Sequence, residues 1–293
     1  MIYLQYLIDA TAIGSLYALV ALGIGLIFGV MRLVNFAHGE LLMAGGYSLF
    51  VTSEWPTVLS ILMAFVVVVV LALILERLAF RPLRGASPAT MLVMTFAISF
   101  LLRAVAQKKW SAQGKAVNQL SGLNKAFTLG SLDIRWVTVV AIVVSSSLLI
   151  ATQAFLTRTN LGLQMRAAAS DFGTAQILGV RADRVVVGTF VLSGILATAA
   201  MLLFSVQRPV ITPDWGLQIG LVALVGVVIG GLDRLGPATL GGFFVGFANS
   251  WLANLLPSDK RIFLDSALYG LVILVLLIRP AGLFQRHVIA ERV

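Results

Sequence analysis

The sequence predicts an all-α polytopic transmembrane helix bundle of about eight to nine spans, some short or broken, forming a single domain over residues 1–293. Three observations lead there. Of the 293 residues, 59% are hydrophobic and 11% charged, whereas a soluble domain carries about 25% charged residues; the chain lacks the charged skin that water demands. Apolar runs near 20 residues long, the length that crosses a hydrocarbon core as a helix, recur from end to end. Finally, there is no cysteine, hence no disulfide frame and no thiolate metal site.

The runs fall at roughly 8–30, 39–53, 57–76, 89–106, 136–157, 185–206, 216–232, 237–256 and 264–279. The first is long enough to cross unaided. The second follows a polar interruption and, like the seventh, is short and rich in glycine. The third holds the unbroken stretch Ala64 to Leu71 and is the plainest span of the set. The fourth contains one charge, Arg103. Glycines recur four residues apart within spans, at Gly25 and Gly29, Gly226 and Gly230, and Gly242 and Gly246. That spacing lets helix backbones approach closely in lipid, and a tightly packed bundle explains it. A faint internal repeat is also visible: Arg32-Leu33 precedes Gly39, Gly45 and Gly46 much as Arg234-Leu235 precedes Gly241, Gly242 and Gly246. Transporters are often built from such repeats.

The formal charge of +9 reads as topology rather than as a nucleic-acid surface, because basic loops favour the cytoplasmic side. With the N-terminus outside and the C-terminus inside, twelve Lys and Arg residues fall inside and eight outside, and Arg103 lies within a span. Segment 107–135 is then an extracytoplasmic loop and segment 158–184 a cytoplasmic one. The former carries five basic residues on the outer side, which a loop of that size tolerates.

Two segments hold candidate chemistry. Val34-Asn35-Phe36-Ala37-His38-Gly39-Glu40 interrupts the apolar pattern. Polar groups at membrane depth are costly and normally line a cavity or path, so Asn35, His38, Gly39 and Glu40 are candidate substrate-path residues; a loop lying in water at the inner surface is the simpler alternative. For His38, a structural or gating role is favoured over direct substrate contact. The second segment, 158–184, places Met165, Ala168, Ala169, Phe172, Ala175 and Leu178 at helical spacing. Gly179 stands where a helix C-cap would be, with Arg181 just beyond. The expectation is one short amphipathic helix whose apolar face rests on the membrane surface or in a groove of a soluble partner.

These residues carry a resemblance. The Val34–Glu40 stretch, the pattern Arg166-Ala167-x-Ala169-x-Asp171-x-x-x-Ala175-x-x-x-Gly179, Gly14 to Leu19, Glu76-Arg77-x-x-Phe80-Arg81-Pro82-Leu83-Arg84 and Arg279 to Phe284 together resemble the H-type membrane permeases of branched-chain amino-acid ABC importers. The resemblance covers nearly the whole chain. It implies a bacterial inner-membrane subunit that pairs with a second, related permease. It also implies a periplasmic substrate-binding protein on the outer face and two ATPase subunits on the inner face. Arg166, Ala167, Ala169, Asp171, Ala175 and Gly179 match the segment expected to couple to the ATPases. No phosphate-binding loop with Lys and Ser or Thr is present, so ATP and Mg belong to the partners, and this chain itself is expected to hold no cofactor and no metal. The sequence departs from the family at Asp233, Arg234 and Arg32, where small residues are usual. Arg32 and Asp233 are a candidate ion pair between inner span ends, where an Arg–carboxylate pair offers bidentate geometry; two charges separately solvated at the inner surface are the equal alternative.

Other classes fit less well. Permeases of this kind also carry urea, short amides and aromatic acids. A self-contained ion-coupled transporter could use Asp9, Glu40 and Asp265, although each lies near a span end. An intramembrane enzyme would need a nucleophile and base, and no Ser–His or Asp–Asp pairing is evident.

Overall fold

The computed structural model describes residues 2–83, 85–129, 132–232, 234–279 and 282–284. Among them are eleven α-helices: α1 (Ile2–Met31), α2 (His38–Val51), α3 (Thr57–Leu75), α4 (Pro88–Trp110), α5 (Trp136–Arg158), α6 (Asn160–Ser170), α7 (Phe172–Ile177), α8 (Ala182–Gln207), α9 (Trp215–Gly230), α10 (Leu235–Leu255) and α11 (Leu264–Ile278). Each of the nine expected spans coincides with one helix. Six helical stretches are long and apolar enough to cross a membrane, and α9 is a shorter apolar helix. α2, with 14 residues, is about 21 Å long at 1.5 Å per residue, two-thirds of a hydrocarbon core.

α1 is the axis. It packs antiparallel to α10: Gly14 faces Phe243, Gly25 faces Ala238, and Gly29 faces Leu235 and Ala169. Gly226 of α9 approaches the Gly242 backbone of α10, and Gly246 lies against Tyr17. The four-residue glycine spacing is therefore a packing device, made necessary because lipid gives apolar side chains no reason to seek one another. α3, α4, α5 and α11 surround this centre with largely exposed apolar surfaces, Val58, Phe100, Ile150 and Leu277 among them.

The chain alternates between two ends. One end carries α6 and α7, the α1 C-terminus and the start of α8, where Arg81 meets Asp183 at 3.3 Å. At the other end segment 107–135 folds as a small cap. There β1 (Lys115–Ala116) pairs antiparallel with β4 (Val210–Ile211), and β2 (Ala126–Leu129) with β3 (Leu132–Arg135). The cap is fastened by Gln119, whose Nε2 donates to the Thr52 carbonyl at 2.7 Å and to the Ser60 hydroxyl at 2.9 Å. Asn124 fastens it again by donating to the Val206 carbonyl at 2.8 Å.

The echoed stretches take different forms. After Arg32 the chain runs without helix to His38, whereas α10 begins directly at Leu235. Arg32 itself adopts a left-handed φ of 53°, and its guanidinium donates to the Ala169 carbonyl in the last turn of α6 at 2.9 Å. Asp233, the expected partner of Arg32, lies outside the described residues, as does His287.

Candidate functional site

The polar interruption in the sequence builds a helix that starts inside the bundle. α1 ends at Met31, and the chain turns back through residues 32–37 before α2 begins at His38. His38 lies against Gly23 of α1, eight residues before the end of that helix, which is about 12 Å of rise. Asn35 makes the turn: its side-chain oxygen accepts from the Ala37 amide at 3.0 Å, an Asx turn that substitutes for a backbone turn. The next amides follow in register, His38 N–H to Asn35 O at 3.3 Å and Glu40 N–H to Ala37 O at 3.1 Å. Irregular backbone at this depth survives only when buried in protein. Asn35, His38 and Glu40 are indeed 3%, 0% and 0% exposed, which places them in the core and not in a water-washed loop.

Gly39 sits where α2 crosses α9. A Cβ there would lie 2.6 Å from the Gly216 carbonyl oxygen and 3.2 Å from the Leu217 Cα, so only hydrogen fits between the two backbones. The space left is a cavity of about 10 Å³ bounded by Asn35, His38, Gly39 and Gly220, on the order of one water. Buried atoms without a protein hydrogen-bond partner among the described residues include Asn35 Nδ2, His38 Nε2 and Glu40 Oε2.

His38 has one partner among the described residues. Ser193 Oγ donates to the Gly23 carbonyl at 3.0 Å and lies 3.3 Å from His38 Nδ1. A hydroxyl has a single hydrogen. With that hydrogen on Gly23, Nδ1 carries the imidazole proton and Nε2 presents a lone pair. This Ser–His contact leaves no trace in the sequence; the two residues are 155 positions apart, beyond the reach of any local pattern. Both residues are fully buried.

Glu40 anchors a charged network on α2, α4 and the residue that precedes α9. Its Oε1 accepts from the Ser99 hydroxyl of α4 at 2.6 Å and meets Arg103 Nε at 3.5 Å. Arg103 Nη1 continues to Asp214, the residue before α9, at 3.1 Å. Ser99, Arg103 and Asp214 are not among the residues that the sequence singles out for the path; the lone charge within an apolar run is the signal that points to them. α4 is held to α2 and the turn before it by this network and by two ring stacks, Phe36 of the turn on Phe96 at 4.0 Å and Tyr47 of α2 on Trp110 at 4.5 Å. Asp9 and Asp265 do not join Glu40, so the three carboxylates form no shared ion site. No group of three or more metal-ligating side chains occurs among the described residues.

Segment 158–184 is two helices, not one. α6 is capped by Thr159, whose hydroxyl accepts from the Gly162 amide at 3.0 Å. Asp171 then breaks the helix in extended geometry and caps α7, accepting from the Thr174 amide at 3.1 Å and the Thr174 hydroxyl at 2.5 Å. Those bonds, the hydroxyl first, hold the Asp171 carboxyl below the usual carboxylate range. A depressed value means the cap is intact above about pH 4 and is lost only as pH falls through the lowered value. Limited proteolysis of this elbow is expected to stay unchanged between about pH 8 and pH 5.

α7 ends in a Schellman motif. The Val180 amide bonds the Ala175 carbonyl and the Gly179 amide the Gln176 carbonyl, both at 3.0 Å, with Gly179 at φ 91°. The apolar face of α6 does not await a partner or lipid: Met165 and Ala168 are buried against α5 and α8, Met165 lying over Gly188. Ala175 is buried as well, while Arg166, Ala167 and Asp171 are exposed. What projects is the tip, Ile177 at 87% and Leu178 at 80% exposure; helical spacing alone puts Leu178 on the covered face, and the early end of α7 turns it outward.

The family described as "Branched-chain amino acid transport system / permease component" matches residues 6–278. The chain belongs to this permease family. The permease is 30% identical to the high-affinity branched-chain amino acid transport system permease protein BraD of Pseudomonas aeruginosa, over 97% of this chain and 96% of that protein. It is 29% identical to the permease protein LivH of the corresponding Escherichia coli system, again over 97% and 96%. A shorter match, 29% over 55% of this chain and 47% of the relative, joins it to the autoinducer 2 import system permease protein LsrC of Photorhabdus luminescens. It is a membrane-embedded transport component.

Proposed function

We propose that this permease is the membrane subunit of an ABC importer for branched-chain amino acids. In this reading it stands in a bacterial inner membrane with the α6–α7 end inside. A second permease lies beside it, two ATPases grip the α6–α7 elbow, and a periplasmic binding protein delivers solute to the cap end. The relatives' transport of branched-chain amino acids supports the solute. The observation that carries the coupling role is the elbow itself: an ordered, doubly capped element with two bare aliphatic side chains at its tip, tied by Arg32 to the segment that sets the depth of α2. Asn35, His38, Gly39 and Glu40 would then form the gated part of the path. An elbow movement that draws the α2 start away from Gly216 would open the one-water cavity.

The test is uptake of labelled leucine into proteoliposomes. Full activity is expected only with both permeases, the ATPases, binding protein and ATP. Uptake by this chain alone, driven by a proton or sodium gradient, would overturn the reading. A narrower check is Ile177→Asp together with Leu178→Asp. Anchors at the centre of an interface contribute about 2 kcal/mol or more each, so co-purification of the ATPases should fall about 30-fold for either substitution alone and up to about 1,000-fold for the pair at unchanged membrane abundance. Gly179→Val should act in the same direction, because a β-branched residue at that φ costs about 1–3 kcal/mol and unwinds the tip.

A further inference from the structure

A second cavity, of about 200 Å³, opens at the cap end between α1, α5, α8 and α10. Its polar lining holds Asp9, Arg135, Gln207, Arg208, Asn249 and Asn254. Among the described residues Asp9 makes one side-chain hydrogen bond, from the Thr138 hydroxyl at 3.3 Å. Among the same residues the side chains of Arg135, Gln207, Arg208, Asn249 and Asn254 make none to protein, although Asn249 is only 8% exposed. Arg135 and Arg208 are exposed to the open cavity, whereas a buried amide such as that of Asn249 is normally paired, so its free side chain is the unusual member. Arg135 is near enough to act on the Asp9 charge, and Arg208 on Tyr17. Ala12, Ile13, Phe204 and Ala253 add an apolar part to the same lining, each within one turn of a polar member on its own helix.

One carboxylate, two guanidinium groups and an apolar part of the lining match a particular solute chemistry. Arginine's planar fork recognises a carboxylate in bidentate fashion. Asp9 supplies the complement for an ammonium group. A simple anion would leave Asp9 opposed, and a simple cation would face two arginines. We propose that this cavity is an outer vestibule that receives a free α-amino acid as its zwitterion, Arg135 and Arg208 taking the carboxylate, Asp9 the ammonium, and Ile13 and Phe204 the aliphatic side chain. The choice of a branched aliphatic side chain rests on the transport reading above; the zwitterion does not.

The experiment uses the assembled permease–ATPase complex, without binding protein, in nanodiscs of phosphatidylglycerol, whose headgroup carries no ammonium. Saturation-transfer NMR reads binding of L-leucine, of L-leucinamide, which lacks the carboxylate, and of 4-methylpentanoate, which lacks the ammonium. Wild type should bind leucine best. Asp9→Asn should weaken leucine at least about tenfold while 4-methylpentanoate binding holds or rises, because the opposing carboxylate is gone. Arg208→Gln and Arg135→Gln should weaken leucine and 4-methylpentanoate but spare leucinamide. The spared analogue shows in each case that the variant is folded. Leucine binding unaltered in all three variants, or equal loss of every analogue, would overturn the vestibule, as would absence of leucine binding to wild type. A complete importer that still takes up leucine would leave the transport reading standing in that event; a zwitterion bound by a complex that transports no leucine would sink the transport reading alone.

Discussion

Arg103→Met is expected to destabilise the permease by about 3–5 kcal/mol, the cost of stranding a buried charge. Glu40 is wholly buried and Arg103 has 14% of its side chain exposed. With methionine at 103, the Glu40 carboxylate keeps only the Ser99 hydroxyl, and Oε2 already has no partner among the described residues. Glu40→Gln alone should cost less, because the amide oxygen still accepts from Ser99 and Arg103 retains Asp214. The double variant should recover most of the loss, since no net charge then remains in the core at this point. Asp214→Asn should matter least: its side chain is 52% exposed, and a solvated pair contributes about 0–1 kcal/mol. Thermal unfolding of the detergent-solubilised protein measures all four. A double variant as unstable as Arg103→Met would show that the arginine acts through packing rather than charge.

Gly39→Val should abolish uptake. The α2–α9 crossing has backbone on both sides: Gly39 meets Gly216 and Leu217, and Gly220 meets the Gly39 Cα. No flexible side chain can yield. Even Gly39→Ala must push the crossing helices apart, and overpacking of this kind costs about 1–3 kcal/mol. The added isopropyl group exceeds that and displaces the α2 start, His38 with it, from its place beside Gly23 and Ser193. Gly236→Ala is the matched control. It lies in the first turn of α10 with nothing within 4 Å of an added Cβ, so removing glycine there should be neutral or stabilising by up to about 1 kcal/mol. Membrane abundance, melting temperature and uptake measured side by side separate loss of fold from loss of path.

The spans are legible because hydrocarbon imposes length, and length survives in sequence: Ala64 to Leu71 can be little else. The cap at Gly179 follows from local backbone chemistry, while the sequence does not single out the Thr159 cap. The partners of buried polar groups are not legible. Glu40 reaches Ser99 and Arg103, and His38 reaches Ser193, across 59 to 155 positions, and helices apolar on every side carry no stripe to say which face meets which. The same ambiguity hides the covering of α6. Its stripe at Met165 and Ala168 is plain in the sequence, yet the surface beneath it belongs to α5 and α8 of the same chain. The break at Asp171 is masked because the apolar period runs on through it, while a capping aspartate followed three residues later by Thr174 marks a new helix start.

Arg32 has a mechanical meaning. One guanidinium ties the last turn of α6 to the head of a six-residue strap, while α1 is braced by α10 from Gly14 to Gly29. The strap has no slack: its far end is pinned by the Asn35 turn, and Gly39 is wedged against Gly216. In the transport reading proposed above, displacement of the elbow would reach the buried start of α2 through this tie as well as through the helices on which α6 rests. A single glycine inserted between Leu33 and Val34 would act as a slipping clutch, the motor turning while less of its stroke reaches the gate.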